Sequence, residues 1–339
     1  MTHENVSTNV DHPAARIPLL DLSALRNSDP AARRDAAAAL YDACADIGFV
    51  SVINHGASKR LIGRARGAVT RYFSRPESLR LTEQITRENY RGYIPLGFFT
   101  PNSGAGAADR YEGYKLHKET AADDPIRRDC PLYGPNRWPA DVPDFRPAIL
   151  DYWSAMDDVS DTLLRGFALG LGLEESFFLP FFDAPLTNMT LLHYPAQPVS
   201  GTAFGIHPHK DFDAFTIIAP DAVGGLQVRA RHGAWLEADC PEGALLVNIG
   251  DMMELWSGGR LISTPHKVVN TTGEERYSFP YFAVPRHDVL IRPVVEALPG
   301  FAREPLNVGF ASAEIWRTNW QDAAPTDASI DLGSYDGQR

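Results

Sequence analysis

The chain is poor in cysteine: only Cys44, Cys130 and Cys240 occur among 339 residues, and no two are in CxxC spacing. That excludes a disulfide framework or a zinc knuckle and fits a reducing cytoplasm, where free thiols persist. Long apolar runs are absent, and the first residues, MTHENVSTNVDHPAAR, lack the apolar core of a signal peptide. Positive charge is short as well: 32 Lys and Arg stand against 43 Asp and Glu, a net charge of -11. Such a surface repels phosphate backbones and anionic lipids, so neither nucleic acid nor a membrane is expected as a partner. Two glycine pairs, Gly224-Gly225 and Gly258-Gly259, read as strand connectors rather than phosphate cradles, because no helix pattern follows either. There is no internal repeat. What is present is ordinary globular composition, 44% hydrophobic and 22% charged, in a chain long enough for a large core. The oligomeric state is left open.

The patterning predicts a flexible leader over 1–15 and an N-terminal α/β region over 16–142. A supporting helix with a jelly-roll core follows over 143–322, and a disordered tail over 323–339. Asp29-Pro30 caps and opens an Ala-rich helix to about Asp46. A strand over Gly48–Ile53 and a helix over Ser58–Phe73 come next, the helix with apolar residues at four-residue steps. Residues 91–142, rich in Gly, Pro and mixed charge, read mostly as loop. A long amphipathic helix runs from Phe145 to Leu171. From Asn188 the grammar becomes short strands punctuated by Gly and Pro: 190–194, 215–218, 226–230, 235–238, 244–249, 267–270 and 277–284. Many short strands at close spacing predict a mainly β fold, with a jelly roll the version that holds buried metal sites in its mouth. A short helix is expected near Ser312–Gln321.

His209-Lys210-Asp211 precedes the strand at 215–218. In extended chain, alternate residues share a face, so His209 and Asp211 point together and Lys210 points away. His266, beside the strand at 267–270, is the best third ligand. Two imidazoles and one carboxylate leave three positions open on an octahedral metal, the facial triad of non-heme iron(II) sites. An isolated HxD arises by chance in a chain with ten histidines and 43 acidic residues, so the context decides. That context is Arg276-Tyr277-Ser278. Arg276 and Ser278 share a strand face, and a guanidinium buried among aromatic residues needs an anionic partner. A protein carboxylate or a bound dicarboxylate would serve.

In order and spacing these segments resemble the iron(II)/2-oxoglutarate-dependent oxygenases of the isopenicillin N synthase-like group. The matching segments are IPLLDLS (17–23), GFVSVINHG (48–56), LLHYP (191–195), HKDFDAFTII (209–218), GGLQV (224–228), VNIGDMMELWSGGRLISTPHKV (247–268) and RYSFPYF (276–282). The resemblance covers roughly residues 16–322. It implies a double-stranded β-helix (jelly roll) in which His209, Asp211 and His266 bind Fe(II). Arg276 and Ser278, with the Tyr194 hydroxyl as a third donor, would grip the distal carboxylate of 2-oxoglutarate. O2 would be the second cosubstrate, and Phe282 and Phe212 would line the substrate pocket. The implied reaction couples oxidative decarboxylation of 2-oxoglutarate to hydroxylation, desaturation or cyclisation of a small organic substrate, a secondary metabolite or amino-acid derivative by the family's habits.

Two positions depart from the family's pattern: Leu192 stands where asparagine is frequent, and Lys267 where arginine follows the third ligand. His207 is read as a neighbour of the site, not a ligand, and Asn248 and Asp251 as serving backbone groups at a buried turn. Other readings stay open: a same-fold iron oxidase that does not use 2-oxoglutarate, fragmentation of 2-oxoglutarate to ethylene, and a non-catalytic jelly-roll binding protein.

Overall fold

The structure, a computed structural model, describes residues 16–99, 108–197, 204–231, 233–270, 272–318 and 320. The expected leader, the tail and part of the 91–142 stretch expected to be mostly loop lie outside the described residues. Strand β1 (Leu19–Asp21) leads through a tight turn of helix into α1 (Pro30–Asp46). The Asp29 side chain accepts from the Ala31 amide, and Pro30 sits in the first turn, where its missing N–H costs nothing. Next come β2 (Phe49–Ile53), α2 (Lys59–Phe73), capped by the Ser58 hydroxyl, and the short α3 (Glu77–Leu81).

The stretch expected to be mostly loop contains β3 (Gly92–Ile94), β4 (Glu112–His117) and the single turn α4 (Ile126–Asp129). Strand β4 escapes a periodicity search because both its faces are covered. Glu112, Lys115 and His117 sit among apolar neighbours in it, so polarity does not mark a solvent side. Helix α5 (Phe145–Gly170) follows as expected.

The second half contains β5 (Asn188–Tyr194), β6 (Phe204–His209), β7 (Phe215–Ile218), β8 (Leu226–Arg229), β9 (Trp235–Glu237) and β10 (Leu245–Ile249). It closes with α6 (Asp251–Trp256), β11 (His266–Val269), β12 (Arg276–Ser278), β13 (Tyr281–Ala283), β14 (Leu290–Ile291), β15 (Leu306–Asn307) and α7 (Val308–Thr318). The strand expected over 277–284 is two strands. Pro280 has no amide to give a ladder, and the chain breaks there. Strand β6 and helix α6 are additions: Gly205 and Pro208 hide the first, and the second occupies what reads as a turn.

Nine strands form one sheet in the order β1-β2-β10-β7-β13-β5-β4-β3, with β12 also on β5; four form a second, β6-β11-β8-β9. Side chains alternate across the large sheet. Phe215, Ile217, Met189, Leu191, Val247 and Tyr281 face the helices in the main core. There Phe167 and Trp153 of α5 meet Phe215 and Tyr281, with ring centroids 5.5 and 5.8 Å apart. Each such buried side chain contributes roughly 1.5–3 kcal/mol. The opposite face carries Leu192, Tyr194, Ile218 and Leu246 into a smaller core shared with Leu226, Val228 and Val268 of the second sheet. This is a jelly roll backed by helices, and the space between its sheets holds the candidate site. Close approach of the two sheets depends on Gly205, where a Cβ would lie 2.8 Å from the Tyr194 ring.

Candidate active site

His209 is the last residue of β6 and His266 the first of β11, and the antiparallel ladder sets them directly opposite one another. Asp211 lies just past β6, in the link to β7. The three offer ligand atoms that all lie within 4.8 Å of one another, the one such group among the described residues. Asp211 carboxylate oxygens stand 3.8 Å from His209 Nε2 and 3.7 Å from His266 Nε2. Each imidazole donates through Nδ1 to a main-chain carbonyl: His209 to His207 at 2.8 Å, His266 to Thr264 at 3.1 Å. A carbonyl only accepts, so both Nδ1 atoms carry a proton, and in the neutral form of each ring Nε2 keeps the lone pair that would meet a metal. Burial, together with the charge of His266, keeps the His209 pKa below its ordinary value, which favours this neutral form.

The Asp211 link is pinned by the start of α6. Amides of Gly250, Asp251 and Met252 donate to carbonyls of Ala214, Asp211 and Asp213 at 3.0, 2.9 and 3.0 Å, so the helix's first donors are satisfied. Position 250 must be glycine, because a Cβ would lie 2.2 Å from both the Asp213 carbonyl and its carboxyl oxygen. Lys210 points away, 3.5 Å from Asp251 and Glu254.

Around Asp211 stands a set of polar partners that sequence reasoning missed or misassigned. The Thr216 hydroxyl donates to Asp211 Oδ2 at 2.5 Å and lies 2.9 Å from Asp213 Oδ2. Asn248 Nδ2 donates to the same Asp211 oxygen at 2.7 Å, so this amide serves the carboxylate and not a backbone turn. Burial would raise the Asp211 pKa, but His266, His209 and these two hydrogen bonds outweigh it and hold the group below the usual carboxylate range. Asp213 goes the other way: burial and then the Asp211 charge push it well above that range. A hydroxyl has one proton, so Thr216 donates to one of the two carboxyls, and Asp211, with the lower pKa, is the better acceptor. The only sequence signal was the acidic spacing of Asp211-Phe212-Asp213 beside a threonine.

Arg276 and Tyr194 are cross-strand partners on β12 and β5, and the guanidinium carbon lies 4.8 Å over the phenol ring. Arg276 Nε donates to the Gly224 carbonyl at 2.8 Å, while Nη1 is buried without a hydrogen-bond partner. No carboxylate pairs with this guanidinium among the described residues, which removes the structural ion pair as its explanation. Ser278, two residues on, shares its face and is buried opposite Leu192.

Phe282 is paired with Thr216 and Asn188 on the inner face of the large sheet. Phe212 is partly buried against the main core. His193, on the other face of β5, stands between Glu112 (2.7 Å) and Glu275 (2.8 Å), away from the triad. His207 is held by Asp109 at 2.6 Å and supports His209 only through its carbonyl. The departure at Lys267 faces outward, its ammonium 4.2 Å over the Trp235 ring.

A jelly roll that offers two imidazoles and a carboxylate beside an unpaired buried arginine defines the class of non-heme iron oxygenases that take a keto-acid cosubstrate. Known proteins agree. Residues 186–285 match the 2OG-Fe(II) oxygenase superfamily, and residues 17–141 match the N-terminal region of non-haem dioxygenase in morphine synthesis. The 2-oxoglutarate-Fe(II) type oxidoreductase hxnY of Emericella nidulans is 35% identical over 275 residues, 78% of either chain. A full-length Neurospora crassa protein solved in complex with alpha-KG superposes with a TM-score of 0.76 at 26% identity, covering 88% of this chain and 95% of that one. JOX2 in complex with 2OG, Fe and JA gives 0.74 at 28% identity, with 91% and 87% covered. The chain belongs to the 2OG-Fe(II) oxygenase superfamily. It is a 2-oxoglutarate-dependent dioxygenase that uses Fe(II) and O2. No helix among the described residues is long and apolar enough to cross a membrane.

Proposed function

We propose that His209, Asp211 and His266 hold the iron(II), that Arg276 takes the distal carboxylate of 2-oxoglutarate, and that a small organic molecule is oxidised by hydroxylation or desaturation. Arg276 Nη1 carries this reading: a buried guanidinium nitrogen with no partner, on the inner side of the same roll as the triad. Leaving such a donor unmet costs free energy, and a planar fork matches a carboxylate in two parallel bonds. Ser278 adds a hydroxyl on the same face, and the Tyr194 ring fixes the guanidinium plane from below. Iron(II), when bound, supplies the positions where 2-oxoglutarate and O2 react, the keto acid leaving as succinate and carbon dioxide.

The chain's own residues do the rest. The two Nδ1–H bonds orient the imidazoles, Thr216 and Asn248 keep Asp211 ionised, and Phe282 with Phe212 forms the apolar side towards the substrate. Small organic molecules are bound by solved relatives, JA by JOX2 and 5-formyluracil by the Neurospora protein. The free thiols Cys44, Cys130 and Cys240 support a cytoplasmic setting. The test is to add iron(II) and 2-oxoglutarate to anaerobic apoprotein and record the visible spectrum. A weak metal-to-ligand band that neither component shows alone is expected, and its loss in Arg276→Ala. Iron bound with no band would overturn the keto-acid assignment and turn Arg276 towards a carboxylate of the substrate.

A further inference from the structure

At the far end of β5 from Arg276 stands a second inward cation. Lys115, on β4, is in register with Thr190 of β5. Its ammonium donates to Asn188 Oδ1 at 2.6 Å and Thr190 Oγ1 at 3.0 Å, and lies 5.2 Å from the centre of the Phe282 ring. Phe282 is in turn the neighbour of Thr216, which bonds Asp211. So Lys115, Asn188, Thr190, Phe282 and the triad's support share one face of the large sheet.

Both oxygens that meet the ammonium are neutral. No carboxylate among the described residues stands within salt-bridge distance of Lys115, and of its three donors two are engaged. The Lys115 side chain is partly buried and stands on the inner face of the large sheet. Burial there brings its pKa down to about 7, against the pull of Asp213 and Asp211. A buried cation without a counter-ion is costly, and a bound anion removes the cost.

We infer that Lys115 takes a carboxylate of the primary substrate, and so selects acids whose apolar body lies along Phe282 towards the triad. The cosubstrate is assigned elsewhere, its distal carboxylate to Arg276. Lys115 and Arg276 stand in register with Thr190 and Tyr194, four residues apart on β5, about 13 Å at ~3.3 Å per residue, so the two cations head separate anion positions. The inference rests on the assignment of Arg276 to 2-oxoglutarate.

The experiment is calorimetric titration of anaerobic protein loaded with iron(II) and saturated with 2-oxoglutarate. The probes are matched acids and amides: benzoate and benzamide, cyclohexanecarboxylate and its amide, hexanoate and hexanamide. At least one acid should bind about tenfold or more tighter than its amide. Lys115→Met should erase that preference and leave 2-oxoglutarate affinity within about twofold of wild type; Lys115→Gln replaces it if the methionine variant does not fold. No acid preference in the wild type, or a preference that survives in the variant, overturns the inference. Failure of 2-oxoglutarate to bind the wild type would instead strike the Arg276 assignment, and shows itself before any probe is added.

Discussion

His266 faces His209 across the β6–β11 ladder with ring centroids 4.3 Å apart. Each ring has spent its Nδ1 proton on a carbonyl, so two lone pairs converge on the Asp211 carboxylate. Nothing in packing requires that convergence. A metal ion should therefore stabilise the fold, by about 2.7 kcal/mol at a hundredfold excess over its dissociation constant. His266→Ala or Asp211→Ala should lose the rise in Tm that iron(II) or manganese(II) gives the wild type. An undiminished rise in Asp211→Ala would place the metal elsewhere.

Arg276→Ala should weaken 2-oxoglutarate binding by roughly two to three and a half orders of magnitude. The estimate is the roughly 3–5 kcal/mol lost when one side of a buried charged pair is removed. Arg276→Lys should recover little of it, because a point charge cannot reproduce the planar fork that sits over Tyr194. Anaerobic titration of the visible band reads both. Unchanged affinity in Arg276→Ala would reduce the residue to a scaffold role.

Thr216→Val should lower iron(II) affinity about 10–100-fold while the fold persists. The variant removes the 2.5 Å bond to Asp211 and the 2.9 Å contact with Asp213, but keeps shape and β-branching. Thr216→Ser should restore most of the affinity, since it returns the hydroxyl. If valine binds the metal as well as threonine does, the hydrogen-bond chain has no hold on the ligand.

How much of this was legible in the sequence follows from how local each signal is. The cap at Asp29 and the apolar faces of α2 and α5 are written within one or two turns, and the structure keeps them. His209 and Asp211 announce themselves by spacing, His266 and Arg276 only by the order of segments far apart in the chain. Strand β4 was invisible because its charged residues meet partners from other elements: Glu112 meets Arg80 of α3 and His193 of β5, and Lys115 meets Asn188 and Thr190 of β5. The same holds for Asn248, whose partner Asp211 is 37 positions away. Pairings of that kind are made by the sheet's register, which no local pattern encodes.

Glu112 provides the last test, one of stability rather than chemistry. Its carboxylate is buried, with Arg80 at 3.1 Å and His193 at 2.7 Å, and it also accepts from the Tyr93 hydroxyl. Burial alone would raise its pKa, yet the bonds from His193 and Tyr93 and the Arg80 charge bring it below the ordinary value. A carboxylate whose folded pKa is depressed contributes stability that is fully present above its unfolded pKa, ~4.3, and is lost as pH falls through the folded value. Glu112→Gln should therefore cost about 3–5 kcal/mol at neutral pH, where it strands the Arg80 cation. The gap between variant and wild type should narrow as pH drops below ~4.3, where the wild-type group begins to bind its proton in the unfolded chain. Urea unfolding of both proteins at pH 7 and at pH 4 or lower measures the two gaps. A difference that does not change with pH would mean that shape and hydrogen bonding, not the ionised carboxylate, hold β4 against α3.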